Sequence, residues 1–391
     1  MTTNRIKEGI YTFRSLDWDR RLFDELIPLP DGTTYNSYFV QGSRKNALID
    51  STDPQKSDKL IEDIRESGIE KIDYIIANHA EQDHSGTIPE ILNLFPEANV
   101  ICTKLGKKFL KELLLIPEDK IEIMETQGEI NLGDKHLKFI KTPWVHWPET
   151  MVTYLKEEKI LFSCDFFGSH LAQSSPYISD KAKVYEAAKR YYAEIMMPFR
   201  EIIKKNIEKI SELEIDLIAP SHGPIYQEPQ FILNAYQEWV GDSVKNEVVI
   251  PYVSMHGSTR MMVDYLIDIL IKKDITVKPF NLTELDLGEL AKALVDTATI
   301  IIASPTVLKG PHPEAFYAAY LTNVLQPKAR FASIIGSYGW GGKMVDMIKG
   351  TLTNLDVELL KPVLIKGQPA EEDYRMIDHL ADSIYEKHKS L

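Results

Sequence analysis

The stretch His79-Ala80-Glu81-Gln82-Asp83-His84 carries four side chains able to ligate metal within six residues. It follows directly on the apolar run Tyr74-Ile75-Ile76-Ala77. A short apolar run that stops at such a cluster reads as a buried strand delivering ligands into a loop at its carboxyl end. The rest of the chain is then judged by whether other segments return to that edge.

Three do. His146 stands in a loop after the alternating run 137–141, Asp165 follows the run 160–163, and His222 follows the run 217–219. A single histidine at a strand end is more often a satisfied polar residue than a ligand. Here four strand ends each present His, Asp or Glu, and the sites of layered α/β folds gather at such ends.

This spacing resembles the metallo-β-lactamase superfamily, whose His-x-His-x-Asp-His signature is followed by a distant His, Asp and His. The resemblance spans about residues 30–245. One position departs from it: Glu81 stands where the zinc hydrolases carry histidine. The candidate set is therefore His79, Glu81, Asp83, His84, His146, Asp165 and His222. Zinc accepts nitrogen-rich tetrahedral sites. Added carboxylate suits harder, higher-coordinate iron or manganese, with positions left open for small molecules. Three carboxylates and a bridging hydroxide would cancel the four positive charges of two divalent ions.

Composition narrows the remaining classes. The net charge of −13 argues against a nucleic-acid partner held by phosphate contacts. It would steer a positively charged docking protein towards the chain. The two cysteines, Cys102 and Cys164, end strand-like runs and imply buried thiols rather than a disulfide framework. The start, Met1-Thr2-Thr3-Asn4-Arg5, leads into polar sequence with no apolar leader. No run approaches the roughly 18–20 apolar residues of a membrane span. A cytoplasmic protein with no membrane partner is expected.

Along the chain, residues 1 to about 55 read as strands and hairpins, including 38–41 and 47–50 around a glycine-containing turn. Helices are expected over 59–67, 87–95, 180–211 and 230–242, and a β-rich stretch over 137–163. The register changes near residue 246. Beyond it, strands at 248–253, 275–280, 299–303, 331–336 and 358–365 alternate with helices, which implies a doubly wound parallel sheet. Two domains follow, 1–246 and 247–391.

In the second domain, Ser254-Met255-His256-Gly257-Ser258-Thr259 leaves the first strand and opens a helix. Hydroxyls and backbone N–H groups there can surround a phosphate. There is no Gly-Lys-Ser/Thr triplet and no Gly-x-Gly-x-x-Gly, so nucleoside triphosphate and nicotinamide are disfavoured. A phosphate loop without lysine suits one monoester, such as that of FMN. Ser304-Pro305-Thr306-Val307-Leu308 and Ser337-Tyr338-Gly339-Trp340-Gly341-Gly342 are expected as the crevice edges after neighbouring strands. Trp340 or Tyr338 could pack beside a flavin ring.

These three loops resemble flavodoxin. With the first half, the chain is similar throughout to the flavodiiron proteins (A-type flavoproteins): a metallo-β-lactamase-like αββα domain followed by a flavodoxin-like domain. The resemblance implies two non-haem irons and FMN. His79, Glu81 and His146 would hold one iron, Asp83, His84 and His222 the other, and Asp165 would bridge. It implies reduction of dioxygen to water, of nitric oxide to nitrous oxide, or both. Tyr192 matches a tyrosine that the family places near the irons, with Tyr191 as the alternative. His170 could also face the site. His136, His379 and His388 are expected to be exposed.

The resemblance further implies a head-to-tail homodimer, or a dimer of such dimers, pairing one chain's flavin with the other's irons. No Cys-x-x-Cys pair occurs, so no fused rubredoxin is expected. The donor would be a separate rubredoxin or reduced coenzyme F420. Two other classes remain: a dizinc hydrolase fused to a flavodoxin domain, which Glu81 argues against, and a non-catalytic electron carrier.

Overall fold

The computed structural model describes residues 3–124, 128–284 and 286–391. Met1 and Thr2, part of the segment read as lacking an apolar leader, lie outside them. The chain divides into two compact units, Met1–Tyr192 with Phe199–Val240, and Ala193–Pro198 with Gly241–Leu391. The division falls at Gly241 rather than at 246, because residues 245–247 already belong to the first strand of the second unit.

The first unit is built on two mixed sheets. One has seven strands in the order β1 (Thr3–Lys7), β2 (Ile10–Asp17), β5 (Thr33–Gln41), β6 (Asn46–Ile49), β7 (Tyr74–Ile76), β8 (Asn99–Cys102) and β9 (Ile121–Ile123). A two-stranded ribbon, β3 (Leu22–Phe23) and β4 (Ile27–Pro28), leaves it after β2. The other sheet runs β10 (Glu129–Asn131), β11 (His136–Lys141), β12 (Met151–Leu155), β13 (Ile160–Cys164) and β14 (Leu217–Pro220). Apolar side chains alternate along these strands. One set from each sheet, including Val40, Ile49 and Ile76 opposite Leu137, Leu155 and Phe162, forms the core between them.

The opposite face of the first sheet presents Phe39, Leu48, Ile75 and Val100 to helices. These helices are α1 (Ser57–Glu66), α3 (Ile88–Leu94) and α4 (Lys104–Leu114), and the four-residue α2 (Gln82–Ser85) comes between α1 and α3 along the chain. Strands β12 and β13 are buried on both faces. The remaining helices are α5 (Lys181–Tyr191), α6 (Arg200–Ser211) and α7 (Pro229–Val240), and α6 sends Asn206 Nδ2 to the carbonyl of Pro143 at 2.9 Å. This is the expected αββα arrangement. Its useful consequence is directional. Strands β6 to β9 are parallel, and so are β13 and β14, so their carboxyl ends share an edge within each sheet.

The second unit is one sheet with strands β15 (Lys245–Tyr252), β16 (Thr276–Asn281), β17 (Thr297–Val307), β18 (Gly310–Pro311), β19 (Phe331–Tyr338), β20 (Glu358–Leu359) and β21 (Val363–Lys366). The parallel order β16-β15-β17-β19-β20 is the doubly wound pattern. Helices α8 (Ser258–Lys272) and α12 (Glu371–His388) share one core with it, and α9 (Leu287–Leu294), α10 (Pro313–Leu325) and α11 (Met344–Thr351) complete the unit.

Three expectations change. The strand over 358–365 is split, and Pro362, which has no N–H to give, lies in the gap. Residues 304–307 are strand rather than loop, because β17 turns at Leu308 and Lys309 and pairs antiparallel with β18. His388 is buried rather than exposed, whereas His379 is exposed and His136 half-buried. Among the described residues no helix is long and apolar enough to cross a membrane.

Candidate functional site

The strand ends of the first unit are tied together before any metal is considered. Asp50 follows β6 in a left-handed conformation with φ 55° and is fully buried. Its Oδ1 accepts the Asn78 N–H at 2.9 Å, and its Oδ2 accepts Asn78 Nδ2 and Ser221 Oγ, each at 3.1 Å. Ser221 N in turn donates to the Cys164 carbonyl at 2.9 Å. Asn78, Ser221 and Cys164 are the residues just before His79, His222 and Asp165. One carboxylate thereby sets the spacing of three strand ends, and each delivers its next side chain into the same space.

There the seven expected donors converge in two groups. His79 Nε2 and His146 Nε2 both lie 3.0 Å from Glu81 Oε2 and 3.5 Å from Asp165 Oδ2. His84 Nε2 lies 2.8 Å from Asp165 Oδ1 and 3.3 Å from Asp83 Oδ2. His222 Nε2 lies 3.0 Å from Asp83 Oδ2 and 3.5 Å from Asp165 Oδ1. Asp165 thus turns one oxygen to each group. Two imidazoles are aimed from behind: His222 Nδ1 donates to the Thr34 carbonyl at 2.7 Å, and His79 Nδ1 meets Glu149 Oε1 at 2.6 Å. Both leave Nε2 facing inward.

Many of these contacts are close without being hydrogen bonds. Both oxygens of Asp83, Oδ2 of Asp165 and both ring nitrogens of His84 are buried with no directed partner. An unmet buried polar atom costs about 1–3 kcal/mol. Lone pairs that converge on a point between them, rather than on one another, fit cations at that point. The electrostatics agree. Burial alone would raise the Glu81 carboxyl, but hydrogen bonds from His146 and His79 hold it well below the usual carboxylate range. Burial likewise opposes ionisation of Asp165, and the positive charge it meets from His84 and His79 overrides it, holding it well below the usual carboxylate range. Burial should lower His84 and His146, yet Asp165 with Asp83, and Asp165 with Glu81, push each up to about 9. The site is built to hold positive charge.

A cavity of about 470 Å³ opens beside these donors, with Phe23, Leu113 and Trp147 as apolar wall and Asp24, Glu81 and Asp83 as acidic wall.

In the second unit, Gly257 opens α8 with φ 90°, a conformation in which an L side chain is strained. Met255, His256 and Gly257 are exposed, and Ser254 Oγ accepts the Arg260 N–H at 3.1 Å. Gly339 and Gly341 front open space. Met255 is 50% exposed, Trp340 74% and Leu308 91%, an unusual amount of bare apolar surface at one sheet edge. Tyr338 and Thr306 are half-buried. This edge fits a flat, part-apolar ligand with a phosphate at the α8 turn. Three hydroxyls have other duties. Thr259 Oγ1 and Ser337 Oγ are buried and pair at 3.1 Å, and Ser304 Oγ donates to the Pro305 carbonyl and accepts the His312 N–H.

The family model described as ODP family beta lactamase matches residues 33–223. The coenzyme F420H(2) oxidase of Methanothermobacter marburgensis is 35% identical over 364 residues, covering 89% of each chain. The nitric oxide reductase of Moorella thermoacetica is 34% identical over 362 residues, covering 91% of this chain and 90% of that protein. The crystal structure of the flavodiiron protein from Giardia intestinalis matches with a TM-score of 0.92 at 27% identity, over 99% of this chain and 97% of that one. The chain belongs to the flavodiiron protein family.

Around the donor cluster of this flavodiiron chain, one expected neighbour is corrected. Tyr191, not Tyr192, reaches the site: its hydroxyl donates to Asp165 Oδ1 at 2.7 Å. Tyr192 lies in the core, its ring against Tyr236 and Trp239 and its hydroxyl 3.4 Å from the Trp239 carbonyl. Helix α5 ends at Tyr191 and a wider π-turn, Tyr192–Met196, follows. His170 is beside the cluster, its ring 4.8 Å from those of His222 and Tyr191. Its Nδ1 meets Thr33 Oγ1 at 2.9 Å and its Nε2 has no partner. Burial and the neighbouring His222 keep it well below the ordinary histidine range, hence neutral. Two residues escaped the sequence reading. Asp50 had as its only signal an Asp at a strand end. Glu149 had only its place three residues after His146.

Proposed function

We propose that the chain reduces dioxygen to water, nitric oxide to nitrous oxide, or both, at a pair of non-haem irons supplied with electrons through FMN. One observation carries the reading: seven donors in two groups that share the two oxygens of Asp165, three of the seven being carboxylates. His79, Glu81 and His146 would hold one iron, Asp83, His84 and His222 the other, with Asp165 between. When bound, two ferrous ions and a reduced flavin supply the four electrons that one dioxygen needs, or the two that a pair of nitric oxide molecules needs.

The chain's own residues position and shield. Tyr191 fixes the bridging carboxylate by donating to its Oδ1. His170, neutral and with Nε2 free, offers a polar contact beside His222. Phe23, Trp147 and Leu113 give the cavity an apolar side, as suits small neutral gases. In the second unit the turn at Gly257 and the edge at Trp340 and Leu308 would receive FMN.

For the donor we favour no single carrier between a separate rubredoxin and reduced coenzyme F420. The working assembly is a head-to-tail homodimer or a pair of them, and the compartment is the cytoplasm. The dizinc hydrolase reading is set aside on the carboxylate at position 81.

The test is anaerobic reduction of iron- and FMN-loaded protein, followed by mixing with dioxygen and, separately, nitric oxide. Rapid flavin reoxidation with one or both gases is expected. A fully loaded protein that consumes neither would end the proposal.

A further inference from the structure

The two groups of donors are not backed alike. Behind His79 stands Glu149, 3% exposed, with Oε1 2.6 Å from His79 Nδ1. The Ala80 N–H lies 3.0 Å from both Glu149 Oε1 and His79 Nδ1. A carboxylate is the stronger acceptor, so that N–H and the Nδ1–H both point to Glu149. The carboxylate is itself held in place: the Glu149 carbonyl accepts Thr103 Oγ1 at 2.8 Å, and Thr103 also caps α4. In the other group, His222 Nδ1 is backed by the neutral carbonyl of Thr34, and His84 Nδ1 has no hydrogen-bond partner.

A carboxylate behind a ligating imidazole fixes its orientation and raises its basicity. It also places a full negative charge within reach of the metal, which favours the ferric over the ferrous ion. Asp50 also exerts its charge on His84, but its oxygens are taken by Asn78 and Ser221, so a carboxylate hydrogen-bonded to a ligating imidazole stands behind one position only.

We propose that Glu149 is a positioning residue that makes the two metal positions unequal, setting the His79, Glu81 and His146 position at a lower reduction potential than the Asp83, His84 and His222 position. This rests on the diiron reading above. With iron bound, the second position would then be the first to take an electron, and a state with only that position reduced would persist over a window of potential. The electron that enters last, and is given up first, sits on the Glu149 side.

The experiment uses the full chain loaded with iron and FMN, as wild type, E149Q and E149D. Iron per chain, thermal melting and a redox titration followed by the mixed-valent EPR signal are recorded together. Glutamine keeps an acceptor for His79 and Ala80 and removes the charge. In E149Q the lower potential is expected to rise while the upper one and the flavin stay put. The mixed-valent signal should shrink accordingly. A tenfold selective loss of ferric binding moves a one-electron potential by about 59 mV. E149D, which keeps the charge, should retain more of the gap. Unchanged potentials in a fully loaded E149Q would overturn the proposal, as would an equal shift of both steps. If E149Q loads poorly, E149D decides: restored loading and a restored gap support it, whereas poor loading with a lowered melting point in both variants shows a merely structural role. A wild type that takes up zinc and no iron would instead defeat the diiron reading itself.

Discussion

Tyr191 and Tyr192 are neighbours with opposite fates. One hydroxyl sits on a carboxylate shared by two groups of donors, and the other sits in a nest of aromatic rings. The variants should therefore separate. Y191F is expected to alter gas turnover and the iron spectrum, and Y192F to leave both unchanged while costing at most about 0.5–1.5 kcal/mol of stability. Side-by-side chemical melts and stopped-flow traces would show it. Sequence reasoning could not choose between the two because the winding changes at that point, from α to π, and no residue type announces the change. The seven donors were legible for the opposite reason: they stand at the ends of apolar runs, and parallel strands bring their ends to one edge. Glu149 was invisible because its partner, His79, is 70 residues away and the bond depends on how two loops meet. Gly257 makes a further test. A Cβ there meets nothing within 4 Å, so G257A carries only the backbone strain of φ 90°. It should cost about 1–2 kcal/mol in the FMN-free protein, read as a lowered melting temperature.

At the scale of elements, α12 is latched to the amino-terminal ends of β15 and β17 by one histidine. Asn246 Nδ2 donates to the Asp274 carbonyl, which turns its Oδ1 towards His388 Nδ1 at 2.7 Å. His388 Nε2 then accepts from Thr299 Oγ1 at 2.7 Å, so the neutral ring is fully used. Burial lowers its pKa from 6.5 to about 4. As pH falls, the unfolded chain takes up this proton before the folded one does. The stability due to the neutral ring is therefore complete above about 6.5 and is lost on the way down to about 4. H388Q should melt lower than wild type near neutral pH, and the difference should close as the buffer approaches about pH 4.5; a constant difference would contradict the latch. In this unit the doubly wound class was legible from the alternation of strands and helices, and the order of the strands came only with the structure. The extension of β17 past Ala303 was not, because it depends on a hairpin turning at Leu308 and Lys309, both at positive φ and neither a usual turn residue.

For the molecule as a whole, the proposal of a head-to-tail homodimer makes a prediction that one chain alone cannot meet. A D165A chain should lack the metal centre, and a chain altered to W340A with G257A should bind FMN poorly. Each alone should turn over gas slowly. Co-refolded or subunit-exchanged mixtures should recover a substantial fraction of wild-type activity, because mixed pairs hold one flavin opposite one intact centre. Mixtures no faster than their components would rule the arrangement out.

The bonds that space the strand ends run through Asp50, Asn78, Ser221 and the Cys164 carbonyl, and none uses the side chain at position 81. Scaffold and chemistry are thus separable. A lineage could exchange glutamate for histidine there without relearning how to fold, and trade one metal's repertoire for another's in a single substitution. E81H is accordingly expected to melt within a few degrees of wild type, yet to shift its metal preference from iron towards zinc when both are offered. The bonds that space the strand ends and the side chain that selects the metal thus belong to different residues.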